Sequence, residues 1–378
     1  MQQDFAHAGR EPSRLFISDT HLFHPHNGAL QYQGAMIEQT KPDELYILGD
    51  GIDYEKMLNE IIKYNNKNNA ELTTPPDTFM RALSLMPTKD IERHLRLYDV
   101  LIAAAINGTK IYYIPGNHDN NLRALNGQNI DGLIEYHDDM VININGKNTL
   151  LEHGHLNDKY CSENYEGYAA WGSRILDGSI AIDHSLNALK SKFLNQAQAR
   201  HSYHFSNTVK EFGKGVVEDF YLTAIERLKK RGLDAAIMGH IHKAKIYDSD
   251  FKILTSSFIA NFDAPNSSPT KIITETNIPA NTFYNTGDGF THGTGLYHSP
   301  ETGFKILDKK NLQHSQTFNT SQPSPYPLEY RIQALKILQA QYETFKAVAN
   351  LELGWSHSGV HKSTTHTPKE TTPTASVA

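Results

Sequence analysis

The sequence holds a single cysteine, Cys161, among 378 residues. One thiol closes no disulfide within the chain and supplies no cysteine-based zinc knuckle, so the fold rests on packing and hydrogen bonds. There is no run of about 18 apolar residues, which excludes an ordinary membrane-spanning helix. Met1–Arg14 is polar and has no apolar stretch like that of a secretory leader. The expectation is a cytoplasmic chain, with peripheral membrane contact through an amphipathic helix left open. A basic excess is missing as well: 36 Lys and Arg face 42 Asp and Glu, a formal net charge of -6. Short clusters such as Lys229–Lys230–Arg231 leave room for a local phosphate patch. They do not make the basic stripe of a sequence-independent nucleic-acid binder. What the chain has in excess is histidine, with 20 residues, many beside Gly, Asp or Asn. Imidazole is the commonest side-chain metal ligand, so the excess points toward metal chemistry.

One pattern repeats along the chain. A short apolar run ends in a polar turn rich in potential ligands. Leu15–Phe16–Ile17–Ser18 runs into Asp19, and Leu45–Tyr46–Ile47–Leu48 into Gly49–Asp50. Ile111–Tyr112–Tyr113–Ile114 leads to Pro115–Gly116–Asn117–His118–Asp119. Thr149–Leu150–Leu151–Glu152 precedes His153–Gly154–His155, and Ala235–Ala236–Ile237–Met238 precedes Gly239–His240–Ile241–His242. Continuous apolar runs of this length read as strands buried on both faces. Helical segments at Gly28–Thr40, Tyr54–Asn66 and Ile91–Ile106 separate the first three. Strand alternating with helix predicts an α/β layout. Asn145–Gly146 between Val141–Ile144 and Asn148–Leu151 is a type I′ hairpin signal, so the pairing is mixed.

The expected organisation is a disordered lead-in over 1–13 and a catalytic domain over 14–310 interrupted by a helical insertion at about 156–232. A C-terminal helical extension over 311–355 and a disordered tail over 356–378 complete it. Short strands are expected at Ala244–Asp248, Phe251–Ser256, Thr282–Asn285, Gly295–His298 and Gly303–Leu307. Residues 327–350 predict one amphipathic helix with Leu328, Ile332, Leu335, Leu338, Tyr342, Phe345 and Val348 on its core face.

Each of the five ligand-rich turns follows a strand, and ligands at the carboxyl ends of α/β strands converge on one rim. In Asp19–Thr20–His21 a carboxylate and an imidazole two apart share one side of an extended chain. Asp50 can bridge two ions through its two oxygens. Asn117 offers a neutral oxygen, His118 is placed to face the substrate, and Asp119 to fix the His118 tautomer from behind. Alternation likewise puts His240 and His242 on one side. The set Asp19, His21, Asp50, Asn117, His153, His240 and His242 mixes nitrogen with oxygen and contains no sulfur. That suits manganese, iron(II) or zinc better than calcium or copper(I). Two adjacent divalent ions, Mn2+ first among them, would supply a hydroxide and stabilise the charge of an in-line phosphoryl transition state. His118 would then neutralise charge or protonate the leaving oxygen.

In order, Asp-x-His, Gly-Asp, Gly-Asn-His-Asp, His and Gly-His-x-His across residues 19–242 resemble the calcineurin-like metallophosphoesterases. The resemblance implies a pair of mixed sheets packed as a sandwich and flanked by helices. It also implies one metal at Asp19, His21, Asp50 and His242 and another at Asp50, Asn117, His153 and His240. It favours His153 over His155 as the ligand and sets His118 on the family's catalytic histidine. Protein phosphatases of the family carry Asp-Arg-Gly after the second block, where this chain has Asp53–Tyr54–Glu55. Purple acid phosphatases place a Tyr ligand where Asp53 stands. The insertion with Asp158, Cys161 and Tyr165, and the late Asn285–Thr286–Gly287–Asp288 with His292, are similar to the UDP-2,3-diacylglucosamine diphosphatase branch. Many members of that branch have Arg at the position of His118 and Trp at that of Gly289.

The function expected is hydrolysis of a phosphodiester, phosphomonoester or pyrophosphate bond in a phosphorylated small molecule or lipid-linked substrate. The alternatives are a cyclic-nucleotide or nucleic-acid phosphodiesterase and a non-catalytic scaffold of the same fold; a scaffold typically has lost ligands, and none is missing here. Cys161 reads as a small packed residue, His24 and His26 as loop residues, and His357, His361 and His366 as solvated tail. The insertion reads as scaffolding or as a substrate lid.

Overall fold

The computed structural model describes residues 10–24, 27, 29–67, 76–86, 91–158, 214–242, 244–247, 253–256, 282–287, 289–290, 292–309, 312, 316–320 and 322–353. Most of the insertion, with Cys161 and Tyr165, lies outside these residues. So do His26, Asp288, most of the lead-in and the tail with His357, His361 and His366.

Strands β1 (Arg14–Ile17), β2 (Glu44–Leu48) and β3 (Lys110–Ile114) alternate with helices α1 (Leu30–Thr40), α2 (Tyr54–Lys67), α3 (Phe79–Leu85) and α4 (Ile91–Ile106). Then come β4 (Asn129–Ile130), β5 (Ile134–Tyr136), β6 (Met140–Ile144), β7 (Lys147–Leu151), helix α5 (Lys214–Arg231) and β8 (Ala235–Met238). The chain closes with β9 (Lys245–Tyr247), β10 (Ile253–Ser256), β11 (Thr282–Asn285), β12 (Gly295–Ser299), β13 (Gly303–Leu307) and helix α6 (Leu328–Leu353). Two mixed sheets result, ordered β13-β12-β1-β2-β3-β5-β4 and β10-β9-β11-β8-β7-β6. The β1–β2–β3 and β7–β8–β11 pairs are parallel.

The period of two along each strand explains the layering. Phe16, Tyr46, Leu48 and Ile114 face Ile144, Leu151, Ile237 and Tyr284 in a core between the sheets. Their neighbours Leu15, Ile17, Leu45, Ile47 and Tyr113 point the other way, under helices α1, α2, α4 and α6. On the second sheet Leu150, Ala236, Met238 and Phe283 pack against Phe220, Tyr221, Ala224 and Leu228 of α5. Layers on both sides bury both faces of the central strands β1, β2 and β8, which is why their runs are apolar rather than alternating. Asn145 and Gly146 turn the β6–β7 hairpin with positive φ, as the type I′ signal requires.

Helix α6 corrects the expected stripe. Leu328 and Ile332 are exposed, and the buried face is Ala334, Ile337, Leu338, Gln341, Tyr342, Phe345 and Ala349. A buried glutamine defines this face. Gln341 accepts from Tyr98 Oη at 2.8 Å and donates to Tyr136 Oη at 2.6 Å. Polar partners waiting in the core outweigh the apolar count on the helix surface. Near its start α6 is held by Arg331, which pairs with Asp99 and Glu92 of α4. No helix among the described residues is long and apolar enough to cross a membrane.

Candidate metal centre

The parallel pairing of β1 with β2 continues beyond the strand ends. Asp19 N–H donates to Gly49 O at 3.0 Å, His21 N–H to Asp50 O at 2.8 Å and Leu22 N–H to Gly51 O at 3.0 Å. The first two ligand turns therefore run side by side. The second sheet joins them through His240 N–H on Asp19 Oδ2 at 3.0 Å and through the His153 ring, whose Nδ1 lies 2.8 Å from Leu48 O. Gly239 N–H donates to His153 O at 3.0 Å and Gly289 N–H to Ser18 O at 3.0 Å, so the late loop closes the same rim.

Local backbone strain is concentrated here. Asp19, His21, Asp50, His240 and His242 have φ of 51°, 44°, 50°, 68° and 58°, in the left-handed region. Such a conformation costs a non-glycine residue on the order of 1 kcal/mol or more and persists where surrounding structure imposes it. The expected reason for convergence is thereby corrected. Asp19 and His21 do not come together by alternation along an extended chain; each turns inward on a left-handed residue. The same geometry separates His240 from His242, which face different neighbours.

Glycines make room for the candidate ligands. A Cβ on Gly49, itself at φ 78°, would stand 2.5 Å from His153 Cγ. One on Gly116 would collide with Asp50 Oδ1 and lie 2.7 Å from Asp50 N.

Two of the donor groups among the described residues share Asp19, with Asp50 between His21 and His153. On one side Asp19, His21 and His242 bring ligand atoms within 4.8 Å of one another, with His242 Nε2 3.1 Å from Asp19 Oδ1. His21 Nε2 lies 3.9 Å from Asp50 Oδ2. On the other side His153 Nε2 stands 3.2 Å from Asp50 Oδ2 and 3.1 Å from Asn117 Oδ1, and the His153 and His240 ring centroids are 5.2 Å apart. All seven residues singled out by spacing thus lie around one rim. Asp19 Oδ1 and His21 Nδ1 are buried without a well-aligned hydrogen bond, facing His242 Nε2 at 3.1 Å and Asp53 Oδ2 at 3.6 Å respectively. Buried polar atoms of this kind are suited to ligate a cation. The donor set, carboxylate and amide oxygens with imidazole nitrogens, fits two divalent ions.

The electrostatics agree with that fit. Burial alone would raise the Asp50 carboxyl, but His153, His118 and His21 hold it well below the ordinary carboxylate range. Asp19, equally buried, is lowered by His242 and His153. Burial opposes the charged form of His153, and Asp50 and Asp19 raise it. His155 is different: burial, then His153 and His240, push it down to about 3, so it is neutral and packs beside His153 with 5.6 Å between ring centroids. His24, a loop residue as expected, is buried against Phe290 at 4.6 Å.

His118 is about one-third exposed at the rim, with its ring 4.8 Å from that of His21. Burial works against its charge, but Asp50 and Asp53 outweigh it and push the imidazole up to about 10. The carboxylate behind it is not Asp119. Asp53 Oδ2 faces His118 Nδ1 at 3.3 Å and His21 Nδ1 at 3.6 Å. Its other oxygen accepts from Lys56 N–H at 3.0 Å, at the start of α2. Asp119 is turned away and accepts from the backbone N–H of Asp50 at 3.2 Å, of Gly51 at 2.7 Å and of Gly116, and from Tyr113 Oη. It ties the second and third ligand turns together. Spacing alone missed Asp53, although its place three residues after Asp50 and just before a helix was visible in the chain. Asp158 was noted in sequence only as part of the insertion, and the structure places it 3.1 Å from His240 Nε2.

The family model described as calcineurin-like phosphoesterase matches residues 13–244. A Streptococcus pneumoniae protein described as a predicted phosphoesterase is similar in structure, at 10% identity over 79% of this chain and 98% of that one, with a TM-score of 0.27. A novel archaeal phosphodiesterase matches at 11% identity over 78% of this chain and 99% of its own, with a TM-score of 0.31. A dimetal phosphatase from Danio rerio matches at 12% identity over 81% and 100%, with a TM-score of 0.31. Among curated proteins none is significantly similar to the chain in sequence.

Proposed function

Because the chain belongs to the calcineurin-like phosphoesterase family, we propose that it hydrolyses a phosphodiester, phosphomonoester or pyrophosphate bond at the rim built by Asp19, His21, Asp50, Asn117, His153, His240 and His242. The observation that carries this is the convergence at one rim of donor atoms from Asp19, His21 and His242 and from Asp19, Asp50 and His153. Two divalent ions held there, Mn2+ first and Fe2+ or Zn2+ next, would activate water and draw charge from the phosphoryl oxygens.

The chain's own groups do the rest. Asp19 and Asp50 bring negative charge that holds the cations. Asn117, exposed beside His118, is placed to touch a phosphoryl oxygen as well as a cation. His118, with Asp53 Oδ2 3.3 Å from its Nδ1, is the group at the rim that would donate to the leaving oxygen as charge develops there. Asp119, accepting from Asp50 N–H and Gly116 N–H, keeps the turns that carry Asp50 and His118 in register.

As specific substrate class we propose a pyrophosphate of the UDP-2,3-diacylglucosamine kind, reached by a chain that touches the membrane peripherally. The support is the placement of α5, the end of the insertion, against the site: its Phe220 stacks on His240 with 5.9 Å between centroids. One observation favours a second reading, a broad phosphodiesterase that also takes cyclic nucleotides. A Cβ on Gly289 would meet the end of the buried Gln33 side chain, so the tryptophan frequent at that position among the diphosphatases would require Gln33 to move. The test is hydrolysis by Mn2+-loaded protein of UDP-2,3-diacylglucosamine beside an aryl phosphodiester and a cyclic nucleotide, with product masses measured. Turnover of the first alone supports the specific reading, turnover of the diesters the second. No turnover on any mono-, di- or pyrophosphate ester rejects the hydrolase reading.

A further inference from the structure

His240 is the predicted ligand that lies against helix α5. It lies two residues beyond β8 on a left-handed backbone. Three neighbours among the described residues bear on its ring. Phe220 lies along one face, inclined by 27°, and the His153 ring meets it edge-on at 80°. The third is Asp158, whose Oδ2 stands 3.1 Å from Nε2.

Asp158 is itself held. It follows the short turn His155–Asn157, to which its own N–H is bonded through His155 O at 3.0 Å. Buried Asn157 donates from Nδ2 to Glu152 Oε1 at 2.8 Å. From α5, Arg227 Nη1 donates to Asn157 Oδ1 at 2.6 Å and to Glu152 Oε1 at 2.9 Å, while Nη2 donates to Glu152 Oε2 at 2.9 Å. A two-pronged arginine–carboxylate pair fixes direction as well as distance. The path from α5 to His240 is therefore continuous: Arg227, the Glu152–Asn157 pair, Asp158, imidazole.

We propose that Asp158 is a positioning residue for His240, and that Arg227 of α5 is the strut that holds Asp158 in place. With Nε2–H donated to Asp158, the proton stays on Nε2 and the lone pair on Nδ1 is presented to a cation. A carboxylate behind a metal-binding imidazole fixes its tautomer and orientation, and losing it typically costs 10–100-fold in affinity. The end of the insertion thereby acts on metal binding, independently of any contact with substrate. This rests on the dimetal reading of the site.

Two measurements test it, neither of them an activity. Mn2+ titration followed by the free-ion EPR signal is run on wild-type chain and on Asp158→Asn, which preserves shape and removes the charge. Wild type takes up two ions. In the variant one ion binds about 10–100-fold more weakly and the other keeps its affinity. Both ions binding as in wild type, with or without a fall in Tm, overturns the proposal and leaves Asp158 a structural residue. Imidazole nitrogen NMR of Zn2+-loaded wild-type protein needs no variant: His240 protonated on Nε2 supports the proposal, and His240 protonated on Nδ1 overturns it. Wild-type chain that binds no ion rejects the dimetal reading itself, a result distinct from unchanged binding in the variant.

Discussion

Replacing Asp53 by Asn removes one negative charge and almost no volume. Its Oδ2 lies 3.3 Å from His118 Nδ1, and at an effective dielectric of about 20 that pair is worth at most about 5 kcal/mol. The His118 side chain is 35% exposed, so solvent screens a large part of this. What remains is about 1–2 kcal/mol, or about 5–30-fold in rate. Asn keeps an oxygen for Lys56 N–H, so α2 and the fold are retained. The expected outcome is a fall in kcat of that size on an aryl phosphodiester, with KM and Tm little changed. The matched control is Asp119→Asn. There the carboxylate serves the N–H groups of Asp50, Gly51 and Gly116, and an amide NH2 turned toward them leaves buried donors unpaired. That variant should lose about 1–3 kcal/mol of stability, read from a urea midpoint. A large kcat loss at unchanged stability in Asp119→Asn, together with wild-type kcat in Asp53→Asn, would refute the assignment of the carboxylate behind His118.

Two further outcomes are expected. Gly116→Ala forces a methyl group onto Asp50 Oδ1 and should weaken Mn2+ binding at least tenfold; an equilibrium titration at wild-type affinity would contradict the close packing of the third turn on Asp50. Acid stability should depend on His94, which is buried, accepts Phe23 N–H on Nδ1 at 3.1 Å and is pushed by burial down to about 3. Above pH 6.5 both folded and unfolded chains hold it neutral and its full contribution is present. As pH falls from 6.5 toward 3 the unfolded chain takes up the proton first, and stability is lost, by at most about 3 kcal/mol at pH 4. His94→Asn should flatten the fall in urea midpoint between pH 7 and pH 4.5, and an unchanged slope would exclude this role.

Much of the candidate site was legible because its candidate ligands follow strands buried on both faces. Runs such as Leu45–Leu48 and Ala235–Met238 can be nothing but apolar, so the polar turn after each stands out. The hairpin at Asn145–Gly146 was legible because the turn type is chosen by those two residues. The illegible parts depend on partners distant in sequence. The left-handed backbones at Asp19 and Asp50 come from pairing between two turns some thirty residues apart. Asp53 rather than Asp119 stands behind His118 because the direction of a short turn, not its spacing, decides which carboxylate faces inward. On α6, Gln341 reads as polar and outward until Tyr98 and Tyr136 are known to wait for it. For the same reason nothing local marks Asp158 as the neighbour of His240.

The central claim is that Asp50 joins two cation sites. Anomalous scattering from crystals of the chain loaded with Mn2+ tests it most directly. Two peaks about 3.5–4 Å apart are predicted, each bound to an Asp50 oxygen, one beside Asp19, His21 and His242 and the other beside Asn117, His153 and His240. Both peaks should vanish in Asp50→Ala. A single peak in wild type, or two peaks of full occupancy in Asp50→Ala, would contradict the account.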